Sequence, residues 1–269
     1  MKRLYFYLWV SPDFEENAAV RVHEICLKRY IHLFDDVNFV VATDKYPYTD
    51  DLKRAISWIN GICGEIPYRV RHVDNITIRE SRMVFEDILP IIEQKSKDLV
   101  FIAHSKAITD VGMSGRNKYS VLRWVISMYY YNLEDKYIKE MESIFEKGDR
   151  EMYGSLLTYF PNFPNETITS HNCIYIGNFY WIYPWAIKTI SDFEIPKVYD
   201  RFLSENLPLY MNFARLSGPN NIVTNCNVAD LYHLSKEWWP QYLSYYGDAD
   251  ILYERQNEVI MESCGEEGY

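Results

Sequence analysis

The chain has 269 residues, 48% of them hydrophobic, and a formal charge of -10, which is enough for one large domain that buries roughly 75% of its unfolded surface. The negative balance excludes a general nucleic-acid binder, since phosphate neutralisation requires a lysine and arginine surface. No uncharged apolar run reaches the ~18 residues of a spanning helix, and the chain opens on a strand instead of a leader, so a soluble cytoplasmic protein is expected, with at most peripheral membrane association. Cys26, Cys63, Cys173, Cys226 and Cys264 are odd in number and carry no CxxC pair, which favours small core residues over disulfides or a zinc site.

Strand-like and helix-like runs alternate through the first half, the pattern that builds a parallel sheet by βαβ crossovers. Leu4 to Val10 reads as a strand, rich in aromatic and β-forming residues. Ala19, Val22, Ile25, Cys26, Arg29 and Tyr30 mark an amphipathic helix. A second strand runs from Asn38 to Ala42 and empties into Thr43 and Asp44. Leu52, Ala55, Ile56 and Ile59 mark a second helix that Gly61 is expected to end, and Tyr68 to Val73 form a third strand that closes on Asp74 and Asn75. From about Glu80 to Gln94 a third helix is expected, bent or split by Pro90.

The most informative stretch follows. Val100, Phe101, Ile102 and Ala103 form an uninterrupted apolar run, as a strand covered on both faces requires, and His104, Ser105 and Lys106 stand at its carboxyl end. In open α/β sheets that end is where ligands bind. Gly112 and Gly115 lead into a helix whose amino terminus, near Ser114 to Asn117, would add backbone donors to a phosphate site, and Arg116, Lys118 and Arg123 add cations. Asp44, Asp74 and Asn75 sit where a nucleotide-binding sheet places groups for a base or ribose, although capping of the following turns is an equally ordinary use of such residues.

A second motif runs His171-Asn172-Cys173-Ile174-Tyr175-Ile176-Gly177-Asn178-Phe179-Tyr180-Trp181, with strand formers leading to a glycine, an amide and three rings. A glycine inside a strand marks a bulge or a close backbone approach. Asn178 offers an amide, and Tyr180 and Trp181 offer polar-tipped rings of the kind that stack on sugars. Such rings are abundant, since aromatics make up 16% of the chain and 24 of them are tyrosines. Clusters such as Tyr129, Tyr130 and Tyr131 after Trp124 are more often helix packing than sugar platforms. Beyond Tyr210, Asn212 to Asn227 reads as a loop and Val228 to Tyr246, with Trp238 and Trp239, as a closing helix. The stretch from Glu254 to Tyr269 reads as an acidic, solvated tail.

Taken together, these motifs resemble a family of bacterial glycosyltransferase-like proteins with a GT-A-type nucleotide-diphosphosugar transferase fold, related to rhamnan-synthesis-type transferases. The resemblance rests on His104-Ser105-Lys106-Ala107, Leu122-Arg123, Gly177-Asn178-Phe179-Tyr180-Trp181 and Glu205, with Glu80 upstream, and spans about residues 70 to 206. It implies a GT-A-like α/β fold: a mainly parallel sheet flanked by helices over residues 1–210, with an irregular C-terminal extension over 211–269 as an acceptor wall or lid, the acidic tail starting at about 254. It also implies transfer of a sugar from a nucleotide-activated donor to a saccharide acceptor in surface polysaccharide biosynthesis. Within that frame Glu205 is the base that deprotonates the acceptor, His104 a catalytic or phosphate-binding group, and Lys106, Arg116 and Arg123 hold the donor phosphates. Asp44, Asp74 and Asn75 face the nucleotide, and Gly177, Asn178, Tyr180 and Trp181 the sugar. No Asp-x-Asp stands at the end of the Val100 strand, so fixed cations are expected to serve where a manganese ion otherwise bridges the phosphates. Ala107 stands where the family carries glycine. If that position needs a positive φ or the close approach of a sugar, alanine strains or blocks it, which leaves a silent carbohydrate- or nucleotide-binding protein as the alternative. P-loop, dinucleotide, zincin and serine-hydrolase signatures are missing.

Overall fold

The computed structural model describes residues 1–44, 47, 49–75, 82–91, 96–109, 111, 117–148, 150–155, 157–159, 173–175, 177–184, 216–217, 244 and 248–265. Strand β1 (Lys2–Val10) alternates two apolar sets, Leu4, Phe6, Leu8 and Val10 towards one face and Tyr5, Tyr7 and Trp9 towards the other. Helix α1 (Ala18–Tyr30) starts where the Asn17 side chain accepts the Ala19 N–H at 2.9 Å, the usual way an asparagine satisfies an orphan donor of the first turn. Strand β2 (Asp36–Thr43), helix α2 (Thr49–Cys63) and strand β3 (Tyr68–Asp74) follow. α2 runs through Gly61 and stops before Gly64, which takes the left-handed φ of +56°. The stop expected at Gly61 therefore falls at the glycine that supplies the left-handed turn.

Between β3 and β4, Met83–Ile88 form a π-helical turn and Leu89–Ile91 a 3-10 turn. Pro90 has no N–H to continue an α-helix, so the expected long helix is split there; residues 76–81 and 92–95, including Glu80, lie outside the described residues. Strand β4 (Leu99–His104) is followed by helices α3 (Lys118–Leu133) and α4 (Asp135–Glu146) and by short strands β5 (Met152–Gly154), β6 (Leu157–Tyr159), β7 (Cys173–Tyr175), β8 (Tyr180–Ile182) and β9 (Leu216–Ser217). α3 is buried almost all round, as a helix apolar on every side must be.

Among the described residues the main sheet has seven strands in the order β3-β2-β1-β4-β8-β5-β9, with β6 and β7 paired separately. β1, β2, β3 and β4 are parallel, and β8 runs antiparallel to both β4 and β5. The mainly parallel α/β sheet flanked by helices that the sequence implies is the fold of this chain. One layer of core joins Leu4, Phe6, Leu8, Phe39 and Phe101 to α1, α2 and α3. The opposite layer joins Tyr5, Tyr7, Val40, Val100 and Ile102 to the 83–89 turns and to Tyr175 and Tyr180.

The acidic end of the chain differs from its expectation. Residues 249 to 264 form helix α5 (Ala249–Cys264), with Leu252, Gln256, Val259, Ile260 and Ser263 buried against α1 and α3 while Glu254, Glu258 and Glu262 face solvent. Composition averaged the two faces; the helical period separates them. The expected helix over 228–246 lies outside the described residues apart from Ser244, and so does the 212–227 loop apart from β9, which pairs with β5. No described helix is long and apolar enough to cross a membrane. Cys26 and Cys63 are buried free thiols held up by desolvation, Cys63 at about 11, as core cysteines should be.

Candidate functional site

The strand order locates the crevice. From β1 the chain moves outward through β2 to β3 and then returns to lay β4 on the other side of β1. The switch point is therefore between β1 and β4, and outside the carboxyl ends of those strands a doubly wound sheet leaves an opening. Trp9 and Ser105 meet there, the Trp9 N–H donating to Ser105 Oγ at 3.0 Å while the Ser105 N–H donates to the Tyr7 carbonyl at 2.8 Å.

A polar rim continues from that junction across the neighbouring strands. The Trp9 indole N–H donates to Asp44 Oδ1 at 3.0 Å, the Asn75 amide donates to the same oxygen at 2.5 Å, and Asn75 Oδ1 accepts the Tyr7 hydroxyl at 3.1 Å. Asp44 is exposed and Asn75 half-buried, so the rim meets solvent. Asp74 does not join the rim: Val73 packs into the Tyr7 layer, and alternation turns the exposed Asp74 to the other face.

Beyond Ser105 the backbone makes a tight turn. The Lys106 N–H donates to the His104 carbonyl at 2.7 Å, and Ala107 takes a φ of +73° with 3% of its surface exposed. The position where the resembling family carries glycine does require the left-handed region, and alanine occupies it at a cost of about 1–2 kcal/mol. Its methyl packs within the core layer of α1 and α3, so strain is present and the buried methyl does not fill the crevice. The Lys106 ammonium lies 5.1 Å from the ring centroid of the buried Trp124, a cation–π distance.

The turn is held from beneath by α1. Asn17 Nδ2 donates to the Ile108 carbonyl at 3.1 Å, and His23 Nε2 lies 2.8 Å from the Lys106 carbonyl. A carbonyl only accepts, so Nε2 carries the proton and Nδ1, 2.8 Å from the Tyr129 hydroxyl, is the acceptor. His23 has no exposed surface, and burial pushes its pKa down to about 3, against the smaller raising effect of the Lys106 carbonyl. The ring is therefore neutral in this one tautomer.

The two sequence motifs meet through His104. Its Nε2 donates to the Gly177 carbonyl at 2.9 Å, and the residue is 4% exposed. Gly177 has a φ of +89°, and a Cβ there would stand 2.5 Å from Met128 Sδ and 3.3 Å from Trp124 Cζ2. Asn178 follows at +56° and is 1% exposed. Tyr180 and Trp181 have no exposed surface. The Trp181 ring packs 4.9 Å from Phe101 and 5.7 Å from Phe34, its indole N–H bonded to the Asn132 carbonyl, and Tyr180 packs on Tyr175. In place of the expected sugar platform these two rings are core, because β8 is inserted between β4 and β5 and both its faces are covered.

Arg123 is likewise directed away from the crevice. Its guanidinium donates to Gln256 Oε1 at 3.3 Å and Asn257 Oδ1 at 2.6 Å and lies 4.6 Å from the Tyr253 ring, all on α5, and burial lowers its pKa. Arg116 and Glu205 lie outside the described residues, as do His171 and Asn172. Among the described residues no group of three or more metal-ligating side chains is gathered. Tyr7, Trp9 and His23 are site residues that the sequence did not single out, and Trp124 was expected only as helix packing. The first two were legible as the aromatic face of β1, and His23 as a histidine within the apolar stripe of Ala19, Val22 and Cys26; nothing local marked the approach of Trp124 to Lys106.

No family model matches this chain, and no curated protein matches it. A crystal structure of S. aureus TarS, residues 1–349, is similar at a TM-score of 0.40 and 12% identity, over 98% of this chain and 70% of that one. At that score and identity the likeness says nothing of activity.

Proposed function

We propose that this chain is a glycosyltransferase that moves a sugar from a nucleoside diphosphate donor to a saccharide acceptor in surface polysaccharide biosynthesis. The observation that carries the reading is the continuous rim from Ser105 through Trp9 and Asp44 to Asn75 and Tyr7, laid across the carboxyl ends of four parallel strands with Lys106 at one end. A nucleoside diphosphate has the matching polarity along its length. Asp44 presents a carboxylate to ribose hydroxyls or base N–H groups, while Lys106 presents a cation to the phosphates. As the bond from the anomeric carbon to the β-phosphate breaks, negative charge develops on the leaving group, and Lys106 leaving the Trp124 ring would meet it. His104 stands beside that turn, tied to Gly177. In this scheme Arg116 adds a second phosphate contact and Glu205 takes the proton of the attacking acceptor hydroxyl. Fixed cations supply the stabilisation, and no resident divalent ion is required.

The burial of the Ala107 methyl away from the crevice favours an active enzyme over a silent binding fold. The test is a thermal-shift series with UDP, GDP, dTDP and CMP, each with manganese and with EDTA. A nucleotide at 100 times its dissociation constant stabilises the fold by about 2.7 kcal/mol. A shift with one nucleotide that survives EDTA and vanishes in Lys106→Ala is expected, followed by turnover of the corresponding donor. A shift that requires manganese would sink the fixed-cation scheme, binding without turnover would leave the silent fold, and no shift at all would end the nucleotide reading.

A further inference from the structure

Lys106 is useful only if its side chain leaves the backbone in a fixed direction, and the turn that aims it is not stable by its own chemistry. Ala107 sits at a φ of +73°, where a residue with a Cβ is disfavoured. Rotation of the peptide between Lys106 and Ala107 is the short route out of that region. It would also carry the Lys106 carbonyl to a new heading.

The carbonyl is held from the helix layer. His23 Nε2 donates to it at 2.8 Å across a separation of 83 residues, Tyr129 fixes the tautomer by bonding Nδ1, and Asn17 holds the Ile108 carbonyl just beyond. The ring itself is wedged edge-on against Phe6 at 5.6 Å and Tyr129 at 5.7 Å, which leaves it one orientation. Ser105 is pinned independently to β1 through Tyr7 and Trp9. Both ends of the 105–108 turn are thus fixed, and His23 is what fixes its middle.

We propose that His23 is a positioning residue for the donor phosphates: it holds the Lys106 carbonyl so that Ala107 stays left-handed and the Lys106 side chain keeps its course over the Trp124 ring, from which its ammonium reaches the donor phosphates. The inference rests on the glycosyl-transfer reading for its consequence, but the turn can be examined without it. It makes the helix layer, and not the crevice lining, responsible for phosphate affinity.

Two variants separate positioning from plain stability. His23→Leu fills the site without a donor, and His23→Gln keeps an N–H that can reach the same carbonyl. Amide hydrogen exchange is read first, without ligand. In His23→Leu the amides of Lys106 and Val111, which close the turn on His104 and Ala107, should exchange at least tenfold faster while those of α2 are unchanged, and His23→Gln should restore most of the protection. Unchanged exchange in the turn, or equal acceleration everywhere, overturns the proposal whatever the chain binds.

Titration with UDP and GDP, and with uridine and guanosine, is read second. His23→Leu should lose about three- to tenfold in nucleoside diphosphate affinity, the equivalent of one neutral hydrogen bond, with nucleoside affinity unchanged and His23→Gln close to the wild type. Equal losses for nucleoside and diphosphate, or a Gln variant no better than Leu, would overturn it. If the wild type binds neither diphosphate, the uridine and guanosine donor classes fail while the exchange result still decides whether His23 sets the turn.

Discussion

Replacing Gly177 by alanine tests the joint between the two halves of the site. At a φ of +89° the new Cβ would stand 2.5 Å from Met128 Sδ, 3.3 Å from Trp124 Cζ2 and 3.4 Å from Met128 Cε. Left-handed strain costs about 1–2 kcal/mol and overpacking a filled core about 1–3 kcal/mol, while the stiffer unfolded chain returns about 0.4–1 kcal/mol. The net expectation is a loss of about 1–4.5 kcal/mol, measured by urea denaturation with an unchanged slope. Met128 is buried on α3, so its relaxation is limited and the steric part can be isolated. Met128→Ala alone should cost about 2–5 kcal/mol, yet in that background Gly177→Ala should add only the backbone strain less the unfolded-chain return, about 0–1.5 kcal/mol. A Gly177→Ala protein within about 0.5 kcal/mol of wild type, or a cost identical in both backgrounds, would refute the close-approach account. Because Gly177 accepts from His104, the variant should also weaken nucleotide binding in the thermal-shift series.

Three further outcomes are expected. At Ala107 a β-branched residue cannot take the left-handed region as alanine does, so Ala107→Val should lose more than about 2 kcal/mol, whereas Ala107→Gly, relieved of strain but freer when unfolded and short of one buried methyl, should stay within about 1 kcal/mol of wild type by urea denaturation. His23 has a folded pKa of about 3 against an ordinary 6.5, so the unfolded chain takes up its proton first and the stability present above 6.5 drains away as the pH falls towards 3. That is a slope of about 1.4 kcal/mol per pH unit below 6, to be measured by denaturation at several pH values and flattened between pH 6.5 and 5 in His23→Gln. Arg123→Met removes donors from Gln256 and Asn257 and should cost about 1–3 kcal/mol while leaving the nucleotide dissociation constant unchanged. Lost binding at unchanged stability would return Arg123 to the phosphate site.

Local pattern fixed β1 to β4 and their polar ends, but not the short strands β5, β6 and β9. The apolar run of β4, the alternation of β1 and the acidic or amide ends of β2 and β3 are set within a few residues by pleat and burial, and the α/β order followed from their spacing. The resemblance marked Ala107 as a position needing either a positive φ or a close approach, and the structure decides for the positive φ. What the tertiary structure alone decided is which distant groups meet. Strand order put Trp9 beside Ser105, 96 residues on, and α1 packing put His23 under Lys106, 83 residues on. Arg123 was drawn to α5 across 134 residues, and the insertion of β8 turned Trp181 from a candidate platform into core. Composition says how much charge and how many rings a segment carries, but the face each one occupies depends on the neighbour that covers it, and that neighbour is chosen by topology.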